Sequence, residues 1–361
     1  MGVDAQHRHM VGWPDRRFLD LVGCEHPIIQ APMAAAGGVE LCIAAMHGGA
    51  LGSLPCALLS PDQVRAQVAE VRGRAEGPLN LNFFCHQMPV DVDDSAWRAL
   101  LQPYYKEYGV EPGNGGPLRL PFDGEMCAIV EELRPEVLSF HFGLPADELL
   151  SRVKSTGAIV IGNATTVDEA RWLEARGVDA VIAQGFEAGG HTGRFLGSDP
   201  AEAFGLFTLV PLVADAVSVP VIAAGGIGDG RGIAAALMLG ASAVQLGTAY
   251  LHAPETPISD AHRRRLGDGR TLFTNLMTGG LARGLRGRLI DELGPVRTEA
   301  PPYPLASAAL APIRAAAEKQ SEYGFGPMWA GQAAPLGASL PATELTRKLA
   351  ADALAILDGR P

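Results

Sequence analysis

The sequence predicts an α/β fold, a (β/α)₈ TIM barrel with an inserted helical cap. Three observations carry this prediction. About eight short apolar runs alternate with amphipathic helical patterns, the count such a barrel needs. Two β-α-β units repeat faintly: Gly177-Val178-Asp179-Ala180-Val181 is echoed by Gly240-Ala241-Ser242-Ala243-Val244, and the strand starts Ala158 and Val221 lie equally far upstream. Equal spacing of such units favours a parallel barrel over a mixed sheet. Finally, amides, glycines and histidines gather where the strands should end, the face on which these barrels place their chemistry. An open doubly wound sheet is the alternative, because patterning does not show closure.

The strands are expected at 27–30, 50–52, 79–82, 137–140, 158–162, 180–184, 221–224 and 243–246. Helices fit between them at 40–46, 60–71, 166–175 and 229–239, and Thr165 or Thr166 followed by Glu169 reads as a capping box. Residues 20–253 make the barrel, interrupted by an aromatic insertion at about 86–124 that contains Trp97, Tyr104, Tyr105 and Tyr108. Residues 254–335 break the rhythm again and read as a cap over the barrel mouth. The segment 340–358 is an amphipathic helix, with Leu345, Leu349 and Leu354 near one face, expected to pack back on the barrel.

Composition excludes several functions. With 361 residues, 47% hydrophobic and 19% charged, the chain can fill a sizeable core. A formal net charge of −11 without a basic stripe argues against nucleic acid or an anionic membrane as partner. The uncharged run 233–250 holds Gly240, Ser242, Gln245, Gly247 and Thr248, so it reads as helix, turn and strand, not as a membrane span. Cys24, Cys42, Cys56, Cys85 and Cys127 are scattered and odd in number, which fits a reduced, cytoplasmic setting. The polar N-terminus lacks the apolar core of a signal peptide; its His7 and His9 read as disordered, with metal binding the alternative.

The strand ends carry the chemistry. Ala224-Gly225-Gly226 after the seventh strand, with a helix following at once, leaves N–H donors for a phosphate, and Thr248 after the eighth adds a hydroxyl. The alternative is a tight turn and nothing more. The P-loop GKS/T pattern is absent, which disfavours a nucleoside triphosphate. FMN suits better: one phosphate at the glycines, an apolar ring against Ala31, Pro32 and Met33, and amides from Asn80, Asn82, Gln184 and Gln245 on its polar edge.

The stretch QGFEAGGHTGRF, 184–195, ends the sixth strand. Gly185, Gly189, Gly190 and Gly193 let the backbone approach something flat and reach positive φ, and they place His191 on a mobile, uncrowded loop. An imidazole with an ordinary pKa of about 6.5 suits proton abstraction from a carbon acid beside an electron sink. Contact with cofactor or substrate is the alternative. Glu187 could pair with Arg194 or orient His191. His141 is placed like His191, as a contact or as a core histidine.

PIIQAPMA, LNLNFF, SFHFG, QGFEAGGHTG, AAGGIGDG, QLGT and MWAGQ stand in this order, and together they resemble the nitronate monooxygenases, formerly called 2-nitropropane dioxygenases. QGxEAGGH is the most specific piece. The resemblance covers about 27–332 and implies a TIM barrel with non-covalent FMN and an added cap. It implies oxidation of an alkyl nitronate or nitroalkane with dioxygen to a carbonyl compound and nitrite, without NAD(P)H. By the same resemblance Ala31, Pro32, Met33, Asn80 or Asn82, Gln184, Gly189, Gly225, Gly226, Gln245, Leu246, Gly247, Thr248, Gly331 and Gln332 would contact FMN. His191 and His141 match active-site histidines, and Tyr108 and Tyr303 match aromatic residues near the substrate.

One position departs. The family often carries GGHRG, whereas Thr192 follows the histidine here and Arg194 comes two residues later. Arg194 is therefore the candidate cation for an anionic nitronate. GGHTG-like variants also resemble FMN-dependent reductases that use NAD(P)H on a quinone or an enoyl thioester. A flavin-free barrel that binds a phosphorylated metabolite is a third reading. Barrel faces often dimerise, so a homodimer is an expectation, though no stretch specifies the surface.

Overall fold

A computed structural model describes residues 12–113, 118–197 and 202–359. His7 and His9 lie outside these residues. Eight parallel strands form one sheet: β1 (Ile28–Gln30), β2 (Gly52–Pro55), β3 (Leu79–Phe84), β4 (Val137–His141), β5 (Ile159–Ala164), β6 (Ala180–Gln184), β8 (Val221–Ala224) and β9 (Ala243–Leu246). The short β7 (Gly190–His191) pairs elsewhere, with β10 (Thr271–Thr274) and β11 (Ala282–Leu285), in an antiparallel three-stranded sheet. In the large sheet the order is β1-β9-β8-β6-β5-β4-β3-β2. A parallel bridge between Ile29 and Leu51 joins its two edges, so the sheet closes into a (β/α)₈ barrel and the open-sheet alternative falls away.

Alternation along the strands builds the core. Ile29, Leu51, Ile161, Ile182 and Ile222 fill the lumen, plugged by Phe18 and Val22 of the helix Arg17–Val22. Leu81, Leu138, Val160, Val181 and Val244 face the surrounding helices. The strand expected at 50–52 runs instead from Gly52 to Pro55. Ser53 and Pro55 look like turn residues in the sequence, yet Ser53 is fully buried, donates its N–H to Gln30 and accepts from Asn80 at 2.9 Å. Thr166 is the helix cap, receiving the Glu169 N–H at 3.2 Å. The run 233–250 resolves into the end of the helix Gly230–Met238, a turn and β9; among the described residues no helix is long and apolar enough to cross a membrane.

The aromatic insertion and the later segment share a second hydrophobic cluster. Trp97, Leu101, Tyr104 and Tyr105 on the helix Ser95–Tyr108 pack with Leu310, Ile313 and Ala317 on the helix Ala306–Lys319. Trp97 and Tyr105 also donate to the carbonyls of Ala306 and Ala309, at 3.2 and 2.6 Å. The helix Ala342–Leu357 buries Leu345 and Leu349 against the helices Val39–His47 and Gly230–Met238, with Leu354 half-buried. A Cβ at Gly48 or Gly230 would meet Thr346 or Asp352 at 2.5 Å, so close helix packing accounts for both glycines.

Candidate active site

The C-terminal ends of the barrel strands open into a cavity of about 620 Å³, roofed by 257–259, 277–278 and 323–333. Ala31, Pro32 and Met33 follow β1 and form an apolar wall. Asn82, His141, Asn163, Gln184 and Gln245 project inward from β3, β4, β5, β6 and β9 because each falls on the lumen phase of its strand.

These amides are mostly ordered before any ligand arrives. The Asn82 Nδ2 donates to the Ser139 carbonyl and hydroxyl at 3.1 and 3.0 Å. Gln184 accepts from Asn163 Nδ2 at 3.0 Å and from the Gly193 N–H at 2.7 Å, and donates to the His191 carbonyl at 2.9 Å. Gln245 differs: its Oε1 is buried, without a partner, in the cavity wall. A buried acceptor of this kind calls for a donor from a ligand.

Glycines line the other side. Gly225 and Gly226 adopt φ of +106° and +68°, which only glycine reaches without strain. A Cβ at Gly225 would lie 2.9 Å from the Ala188 nitrogen, and one at Gly189 would lie 2.5 Å from the Gly331 nitrogen. The loops after β6 and β8 and the late segment at Gly331 therefore meet backbone to backbone. Thr248 Oγ1 accepts from the Gly331 N–H at 2.9 Å, which leaves its own hydroxyl proton for another acceptor. The helix N-terminus expected to bind phosphate is already satisfied: Asp229 accepts from the N–H groups of Arg231 and Gly232 at 3.0 and 3.3 Å. Of the groups expected to meet a phosphate, Gly225, Gly226 and Thr248 are those on the cavity lining.

His191 is held differently from the expectation of a mobile, uncrowded loop. It lies in β7, opposite Ala282 of β11, and only 8% of its surface is exposed. Its Nε2 sits 2.8 Å from Thr278 Oγ1, and the rings of Tyr303 and Trp329 pack on it at 5.0 and 5.4 Å. Desolvation, reinforced by the Arg119 charge, pushes its pKa well below 6.5. Desolvation also takes His141 down to about 4, against a hydrogen bond to the His191 backbone. Both rings are thus neutral at physiological pH.

In the stretch 184–195, positive φ is needed at Gly190 alone of the four glycines. Gly193 is required by contact, since a Cβ there would collide with Asn163 Nδ2 and come within 2.6 Å of His141 Cε1. Glu187 neither pairs with Arg194 nor orients His191. Its carboxylate receives the Leu206 N–H at 2.9 Å, where the helix Leu206–Ala216 begins.

Several expected residues stand off the cavity surface. Asn80 is tied to Ser53, one inward layer below Asn82. The Leu246 side chain points out toward the helices, and Gln332 is exposed, touching the site only through its N–H bond to the Glu187 carbonyl. Arg194 pairs with Glu202 at 3.1 Å. Tyr108 is bound to Glu322 and Arg288 beside the second hydrophobic cluster. Tyr303 is not on the lining, but its ring backs His191 and its buried hydroxyl has no partner. Residues missed by sequence reasoning include Asn163, visible as the polar end of a strand, and Thr278, Trp329 and Arg119, which lie in irregular segments without periodic signal.

The comparisons agree with this geometry. The family model described as Nitronate monooxygenase matches residues 16–352. A nitronate monooxygenase of Paraburkholderia phytofirmans is 42% identical over 349 residues, covering 92% of this chain and 94% of that protein. Among solved structures, the nitroalkane oxidase of Streptomyces ansochromogenes superposes with a TM-score of 0.88 at 36% identity, covering 96% of this chain and all of the other. FabK of Thermotoga maritima superposes with a TM-score of 0.73 at 27% identity, over 95% of this chain and 97% of that one. A barrel whose strand ends carry this histidine, amide and glycine constellation, matched along nearly its whole length, belongs to the nitronate monooxygenase family.

Proposed function

We propose that the protein uses FMN to oxidise alkyl nitronates, and nitroalkanes after their deprotonation, with dioxygen to a carbonyl compound and nitrite. The observation that carries this reading is a neutral, buried His191 facing a cavity whose walls suit a flavin. The fit rests on the unpartnered Gln245 Oε1 and on the crowded backbone at Gly189, Gly225 and Gly331. Ala31, Pro32 and Met33 would face the ring, Asn82, Gln184 and Gln245 its polar edge, and Gly225, Gly226 and Thr248 the phosphate. When bound, FMN accepts electrons from the substrate carbanion and delivers them to dioxygen.

The chain's own residues govern the proton and the substrate. When His191 Nε2 donates to Thr278, the Nδ1 lone pair is left to take a proton from the carbon beside a nitro group. A low pKa keeps that lone pair available across the physiological range. The imidazolium formed is stabilised by the nitronate formed with it, an ion pair in a dry pocket. A substrate that arrives as a nitronate needs no base. Gln184 Nε2 donates to the His191 carbonyl and positions it.

Oxygen uptake and nitrite release with ethylnitronate, measured without NAD(P)H, test the proposal; absence of both refutes it. The second reading, an FMN-dependent reductase of a quinone or enoyl thioester, draws on the FabK superposition, and its identity of 27% is lower than that of the oxidase. Rapid flavin reduction by NADH would favour it. A dimer through a barrel face and a cytoplasmic setting complete the proposal.

A further inference from the structure

Arg119 is the unusual charge in this cavity. It follows the segment 114–117, lines the cavity and is only 8% exposed. Its carbonyl accepts from His86 Nε2 at 3.1 Å, but its guanidinium Nε has no partner, and the side chain makes no ion pair among the described residues. Arg314, another cation on the lining, is paired with Glu318 at 2.7 Å. Guanidinium cannot escape burial by losing its proton, so an unpaired one in a dry site is costly unless an anion joins it.

Two further unpartnered donors belong to rings that pack on His191. Trp329 Nε1, on the cavity lining, and the Tyr303 hydroxyl are both buried without partners. The Tyr303 ring touches the rings of His191 at 5.0 Å and His86 at 4.8 Å, and His86 holds the Arg119 backbone. The cluster offers a cation and neutral donors near His191, and among the described residues no carboxylate is paired with them, Glu318 on the lining being taken by Arg314.

We propose that Arg119, with Trp329 Nε1, binds the two oxygens of the substrate's nitronate group, supplying the positive charge that Thr192 does not supply after His191, while the Tyr303 ring backs His191 from behind the lining. A planar fork of N–H donors matches two oxygens on one atom. The neutral nitroalkane gains less from this site than the nitronate does, so Arg119 sets the preference for the anion. The inference rests on the nitronate reading above.

The test uses the holoenzyme and inorganic nitrate, a planar monoanion, with calorimetric binding on wild type, Arg119→Met and Arg119→Lys. Nitrate should bind wild type and compete with ethylnitronate. Arg119→Met should weaken nitrate by at least about tenfold, and Arg119→Lys should restore part of it. The KM for ethylnitronate, which carries no other anionic group, should rise by a similar factor, with the loss falling on KM more than on kcat. The KM for nitroethane should move far less. If Arg119→Met does not fold, Arg119→Lys and the wild-type competition still decide. Nitrate that fails to compete in wild type, or binds the variants as tightly, overturns the proposal. Loss of nitrate binding in Arg119→Met alongside a wild type that never turns over nitronates leaves the anion site standing and faults the functional reading instead.

Discussion

His191 Nε2 lies 2.8 Å from Oγ1 of Thr278, which stands in the turn between β10 and β11. The barrel's candidate base is therefore oriented by the segment that joins β10 to β11, outside the barrel strands. Thr278→Val removes the hydrogen-bond partner of the ring's Nε2 and frees the ring to rotate. We expect kcat/KM for nitroethane to fall about tenfold, at the lower end of what positioning a general base contributes, with ethylnitronate turnover changed by about twofold or less. Steady-state kinetics on the two substrates checks this.

Replacing His191 itself with alanine separates base from binder. Nitroethane turnover should drop by roughly 10² to 10⁴, whereas ethylnitronate, already deprotonated, should lose less than about tenfold. Equal losses on both substrates would make the histidine a contact and nothing more.

The histidines also predict a pH dependence of stability. His141 and His262 are each held near pKa 4 by desolvation, below an unfolded value of about 6.5, and His191 is shifted the same way. Between these values the unfolded chain binds more protons than the folded one. The stability these neutral rings contribute is thus complete above about pH 6.5 and declines as pH falls toward 4. His141 alone should cost on the order of 3 kcal/mol by pH 4. Urea titrations at pH 7 and 4.5 should show the decline, and His141→Gln should reduce it. A flat profile would contradict the burial of these rings.

Gln245→Leu tests the cofactor edge. It removes an unpartnered acceptor from a buried wall, so the apoprotein should keep its stability or gain a little. FMN affinity should fall about tenfold, read by recovery of free flavin fluorescence on dilution. Unchanged affinity would remove Gln245 from the site.

Much of this was legible in the sequence. β6, β8 and β9 occupy their expected spans, since each is a short apolar run between a glycine- or proline-marked start and a glycine just past its end. The cavity likewise collects Ala31, Met33, Asn82, Gln184, Gln245, Thr248 and both histidines, because strand ends of a parallel barrel converge. What sequence could not supply was the contact across the mouth. β7 exists only because β11 pairs with it, and two residues carry no periodic signal. The side chains of Leu246 and Asn80 lie off the cavity surface for the opposite reason: nearby residues share a motif, yet the pleat sends alternate side chains to opposite faces and successive inward residues to different layers.

The most direct test of the central claim is an anaerobic visible spectrum of the purified protein with propionate-3-nitronate, and of a separate sample with NADH. The account predicts flavin bands that change on adding the nitronate and ignore NADH. Flavin that ignores the nitronate and bleaches with NADH would contradict it and move the protein to the reductases.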